Sequence, residues 1–167
     1  ITKKKRHGGF IALVSLVFLV IALIITPDEK SNNEPAKQNE NLTWEEKIKE
    51  VASKDATETE KFDEISLYAN NYKPTKNEIA EFENYLIQEY KNGNYLKDVS
   101  NHEYMLDNIF KSQVVEQFYD GDEPMKEFAF DFWQNSKYVY RGVDTPDSAA
   151  VKSNEEQMDK ALAEMGK

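Results

Sequence analysis

The chain has 167 residues, no cysteine, and a formal net charge of −10 from 31 acidic and 21 basic residues. These features exclude disulfides, zinc–thiolate sites, a cysteine nucleophile and a lipidated N-terminal cysteine, and they argue against nucleic-acid binding, which needs basic patches to meet phosphate. Nine Phe, nine Tyr and two Trp supply enough bulky apolar surface for one modest core.

Lys3, Lys4, Lys5 and Arg6 precede the segment Gly8 to Thr26, GGFIALVSLVFLVIALIIT, which carries no charge over 19 residues. At about 1.5 Å per residue it would reach roughly 28 Å, close to the ~30 Å hydrocarbon core of a bilayer. A single spanning segment must be helical, because lipid offers no partners for backbone N–H and C=O groups. The spacing therefore predicts a transmembrane helix over residues 8–26, with lipid as its partner. The basic flank, residues 1–7, is expected in the cytoplasm and the remainder outside. Beyond residue 26 the chain holds 17 basic against 31 acidic residues, a net of −14. The competing reading is a cleaved signal peptide releasing a secreted protein. The basic start fits it, but the apolar run is long and no A-x-A-like site follows. Lack of cysteine and a Lys-, Asn-, Glu- and Ile-rich composition suit a bacterial cell-envelope protein.

Residues 27–42 contain two prolines and, up to Asn41, no large apolar side chain. They are expected to form a disordered linker with a reach of roughly 20–25 Å. Residues 43–167 are then an all-α domain, a small bundle of four to five helices with one short extended segment. Thr43 to Glu46 has the capping-box pattern, and Trp44, Ile48 and Val51 share a face. Phe62, Ile65 and Tyr68 or Leu67 mark a second short helix ending near Asn70 and Asn71. Thr75 to Glu78 is another capping box, followed by Ile79, Phe82, Leu86 and Tyr90 and stopped at Asn92-Gly93. Ser100 to Glu103 reads as a third box, opening an apolar helix through Met105, Leu106, Ile109, Phe110, Val114, Val115 and Phe118. Asp120 to Pro124 turns the chain. Met125, Phe128, Ala129, Phe132 and Trp133 again fit a helix face. Tyr138-Val139-Tyr140 is β-prone and reads as the extended piece. Thr145-Pro146 is expected to start the last helix, lined by Val151, Met158, Leu162 and Met165.

No motif of catalysis, metal binding or nucleotide binding is present, so no enzyme activity and no cofactor are expected. Glu103 and Asp107 lie one helical turn apart beside His102, a conceivable weak cation site. The acids fit better as partners of a positive helix N-terminus. A calcium loop starting at Asp120 fails, with Pro124 at position 5, Met125 at position 6 and Asp131 at position 12. The aromatic run from Phe128 to Arg141 is the unusual feature. Phe130 cannot easily share a core with Phe128 and Phe132, and Trp, Tyr and Arg are enriched in binding hot spots. Trp133, Tyr138, Tyr140 and Arg141 are therefore the candidate binding residues. The expectation is a non-enzymatic interaction, accessory or inhibitory module that binds a cell-envelope protein, a basic one suiting the acidic surface. The alternative is a ligand-binding module holding a peptide, glycan or cell-wall fragment in an aromatic groove.

Overall fold

The computed structural model describes residues 42–167. The expected membrane helix at 8–26, its flank at 1–7 and the linker up to residue 41 lie outside the described residues. Among the described residues no helix is long and apolar enough to cross a membrane. The described chain forms six helices and no strand: α1 (Trp44–Ala52), α2 (Glu58–Asn71), α3 (Lys76–Lys91), α4 (His102–Phe118), α5 (Pro124–Tyr140) and α6 (Ala149–Glu164).

Helix starts follow local chemistry. Thr43–Glu46 and Thr75–Glu78 form reciprocal capping boxes as expected, each satisfying two orphan N–H groups. A further box, Thr57–Glu60, starts α2 at Glu58, ahead of the apolar residues that mark it in sequence. Two expected starts are corrected. Ser100 does not cap α4; its hydroxyl donates to Asp98. Asn101 takes the cap position and accepts from the Tyr104 N–H at 3.1 Å. With Asn101 as cap, the third helical position is Tyr104, which has no carboxylate to close a box. Thr145-Pro146 likewise does not open α6. The Ser148 N–H bonds back to the Thr145 carbonyl in a turn, and Ser148 becomes the cap.

The expected extended piece at Tyr138–Tyr140 is instead the last turn of α5. Two interactions override its β propensity. Val139 and Tyr140 are buried, so tertiary packing fixes the backbone. Gly142 then adopts φ +68° and completes a Schellman stop. Its N–H donates to the Val139 carbonyl at 3.1 Å, and the Val143 N–H donates to the Tyr138 carbonyl at 2.9 Å. These bonds satisfy carbonyls the helix end would leave open.

Helix α4 is the centre of the domain. Helices α1, α2, α3 and α5 pack on it, and α6 packs on α5. Every residue from Asn108 to Val115 is buried, so this helix has no solvent face over two turns. Phe110 sits among four rings, with centroids 5.7 Å from Trp44, 5.6 Å from Tyr68, 5.2 Å from Tyr72 and 6.0 Å from Phe82. A second aromatic group joins Tyr90, Tyr95, Phe128 and Phe132.

Truncating the ring at the first cluster should therefore cost far more than truncating an exposed apolar residue. Phe110→Ala is expected to lower unfolding free energy by about 3–5 kcal/mol. Leu67→Ala, at a position 63% exposed, should stay within about 0.5 kcal/mol of the parent. Urea denaturation followed by tryptophan fluorescence measures both.

Candidate interaction surface on helix α5

Helix α5 packs one side on α4 and another on α6. What remains is a strip facing solvent. Phe130 and Tyr138 are 41% and 37% exposed, and Val143, just past the helix stop, is 66% exposed. The Schellman geometry draws Val143 back beside the Tyr138 turn, where such motifs commonly make an apolar contact. The Phe130 and Trp133 ring centroids are 6.1 Å apart. The strip thus forms an aromatic ridge along the helix, with Trp133 half-buried in it.

Lys137 supports this ridge from beneath. Its Nζ lies 3.7 Å from the Trp133 ring centroid and 4.3 Å from that of Tyr138. It also donates to Gln134 Oε1 at 2.6 Å. Burial lowers its pKa from the ordinary 10.5, because a desolvated ammonium is disfavoured. The cation–π contacts hold the two rings in a fixed relation. Arg141 closes the ridge at its C-terminal end, with Cζ 5.1 Å from the Phe62 ring centroid and Nε 3.5 Å from Thr59 Oγ1.

Of the four sequence candidates, Trp133, Tyr138 and Arg141 are brought together on this face. Tyr140 is not. It is 2% exposed and points inward, where its hydroxyl is 3.0 Å from His102 Nδ1. The helical turn separates it from its neighbour Tyr138 by about 200°, whereas an extended segment would have spaced the two tyrosines onto one face. The residues missing from the sequence set are Glu127, Phe130, Gln134 and Lys137. Their signal is helical spacing, which becomes visible once residues 138–140 are read as helix.

The other suggestive groups are absorbed by the fold. Asp107 is paired with Lys111 at 2.7 Å, and Lys111 Nζ lies 3.7 Å from the Tyr85 ring centroid. Among the described residues no cluster of three or more His, Asp or Glu could hold a metal ion. Two shallow cavities of about 390 Å³ each are present. One lies beside Phe130 and Asp131 with Lys126 and Gln157; the other is between the ends of α2 and α4 near Tyr72 and Phe118. Neither is lined by Trp133 or Tyr138. Comparison with known proteins gives no match: no family model, curated protein or solved structure is similar to this chain.

Asp131, on the flank of the ridge, is pushed up to about 6 from an ordinary 3.8 by burial and then by the neighbouring Glu127 charge. A raised carboxyl pKa means the charged form costs stability above pH 6, and the cost vanishes below about 4, where both states are protonated. Asp131→Asn is therefore expected to stabilise the domain at pH 8, with the gain fading between pH 6 and 4. Glu78 has the opposite sign. The Tyr72 hydroxyl, followed by the Thr75 N–H and hydroxyl, holds its carboxyl below the ordinary 4.5. Its contribution is present above 4.5 and is lost as pH falls through the lowered value. Thermal melts across pH 3–8 separate the two.

Proposed function

We propose that this protein is a membrane-anchored, extracytoplasmic interaction module of a bacterial cell envelope, non-enzymatic, acting as an accessory or inhibitory subunit through the exposed face of α5. The observation that carries this reading is the ridge itself. Phe130, Tyr138 and Val143 stand exposed together beside Trp133 and Arg141. Large apolar side chains grouped on a solvent face commonly mark contact with another macromolecule, and Trp, Tyr and Arg are the side chains most often dominant in such contacts. Neither of the two cavities described above is lined by Trp133 or Tyr138, which favours a protein partner over a small ligand held in a groove. The anchor is inferred from the uncharged 8–26 segment and its basic flank.

The absence of cysteine makes both parts testable by single introduced thiols. With the anchor as proposed, Ser153→Cys on exposed α6 reacts with a membrane-impermeant maleimide in intact cells, and Thr2→Cys reacts only after lysis. Equal labelling of both before lysis, or of neither, rejects the topology. For docking, a photo-cross-linker at Gln134 should trap a defined envelope protein. Phe130→Ser with Tyr138→Ser should reduce that product about tenfold, equivalent to about 1.4 kcal/mol, with stability within about 1 kcal/mol of the parent. An undiminished product rejects the ridge as the docking surface.

A further inference from the structure

The solvent line of α5 has a symmetry in its spacing. Counting from Gln134, Phe130 lies four residues before and Tyr138 four after. Glu127 lies seven before and Arg141 seven after. Offsets of four and seven return to one helical face, so the five residues form a single line of about 21 Å. Its chemistry reads acid, aromatic, amide, aromatic, cation. Phe130 and Tyr138 are both over a third exposed. Glu127 is exposed, and Gln134 and Arg141 are half-buried. Neither Glu127 nor Arg141 has an ion-pair partner among the described residues.

We infer that the α5 face is self-complementary and that a second copy of this chain covers it, with the two α5 helices antiparallel about a two-fold axis at Gln134. The inference rests on the reading of this ridge as an interaction surface and names its occupant. A two-fold contact pairs residue i with j and j with i. Here it sets Glu127 of one copy against Arg141 of the other, Phe130 against Tyr138, and Gln134 against Gln134. The reverse pairs form at once by symmetry. Each unpaired charge gains a partner of opposite sign, and the two amides can exchange hydrogen bonds. A shallow cavity of about 390 Å³ is lined by Phe130 and Glu127 of this same face. A parallel arrangement would instead put Glu127 on Glu127 and Arg141 on Arg141, which is repulsive. A single helix face is at the small end of specific interfaces, so the dimer should be weak and concentration-dependent.

Cross-linking of the full-length chain in native membranes tests this. Under mild oxidation Gln134→Cys should give a covalent dimer, and Ser153→Cys on α6 should give none. Arg141→Glu in the Gln134→Cys background should reduce the dimer about tenfold, since like charges then meet twice. Adding Glu127→Arg to that variant should restore it. Circular dichroism confirms that each variant is folded, and Phe130→Cys mixed with Tyr138→Cys provides a second pair expected to cross-link across the axis. No dimer from either pair, a dimer equally strong at Ser153→Cys, or a reversal that is not rescued overturns the inference. If Gln134 cross-links only to a different protein, the self-pairing fails and the interaction reading stands. If nothing cross-links there, both fail.

Discussion

The burial of α4 from Asn108 to Val115 is the constraint from which the rest of the domain follows. A helical stretch without a solvent face must find a partner for every polar group it carries, because an unsatisfied buried donor or acceptor costs about 1–3 kcal/mol. Its side chains meet that demand one by one. Asn108 accepts from the Tyr85 hydroxyl and donates to the Tyr95 carbonyl. Ser112 bonds back to the Asn108 carbonyl. Gln113 accepts from Ser66 and donates to Asn70 on α2. Lys111 combines an ion pair to Asp107 with the face of Tyr85. These bonds fix which helix lies on which side of α4, a specificity that apolar contact alone does not provide.

The same domain has to manage an excess of carboxylates, and it does so largely with tyrosine. Tyr72 bonds to Glu78, Tyr90 to Asp159, Tyr95 to Glu155, Tyr104 to Glu89 and Tyr119 to Glu83. All five link different elements of the fold or an element to a loop, and four involve α3 residues. A phenol offers an apolar ring to the core and an O–H to the boundary. It can therefore satisfy a carboxylate at the rim without the side-chain entropy of a lysine. Lys47 and Lys54 pair with Glu64 between α1 and α2, and Lys111 and Lys126 pair with Asp107 and Glu116 on α4. The exposed face of α5 receives neither kind of bond to a neighbouring helix beyond the reach of Arg141 to Thr59.

Much of this architecture was legible in the sequence because its signals are local. Thr43–Glu46 and Thr75–Glu78 announce helix starts through chemistry contained within four residues. The apolar spacing of Ile79, Phe82 and Leu86 identifies a buried face directly. What was not legible depends on tertiary context. Tyr138-Val139-Tyr140 has strand-like composition, and only the burial of Val139 and Tyr140 together with the Gly142 stop makes it helical. That error carried into the candidate site, since an extended chain puts Tyr138 and Tyr140 on one face and a helix separates them. Ser100 and Thr145 are good caps in isolation, yet Asn101 and Ser148 lie nearer the first turn that packing allows. The central position of α4 left a sequence trace in its apolar residues on several faces. Lys111 and Gln113 obscured it, because their burial depends on partners far along the chain.

Acidity and self-pairing make opposing demands on the α5 face, and distance decides between them. The carboxylates of the described residues are spread over all six helices, whereas the complementary charges lie at the two ends of one helix line. Exposed charges farther apart than about 8 Å are largely screened at physiological ionic strength. Remote carboxylates thus oppose approach weakly, while Glu127 and Arg141 act across the contact itself. Lys137 adds to this asymmetry. It is buried beneath the Trp133 and Tyr138 rings with no carboxylate partner, so the C-terminal half of the ridge carries two cations in an otherwise acidic domain. The N-terminal half carries Glu127 and Asp131, whose carboxyl pKa is raised by burial and then by the Glu127 charge. The two halves thus differ in sign, and the antiparallel pairing inferred above sets each half against its opposite, whereas a parallel pairing would set like against like.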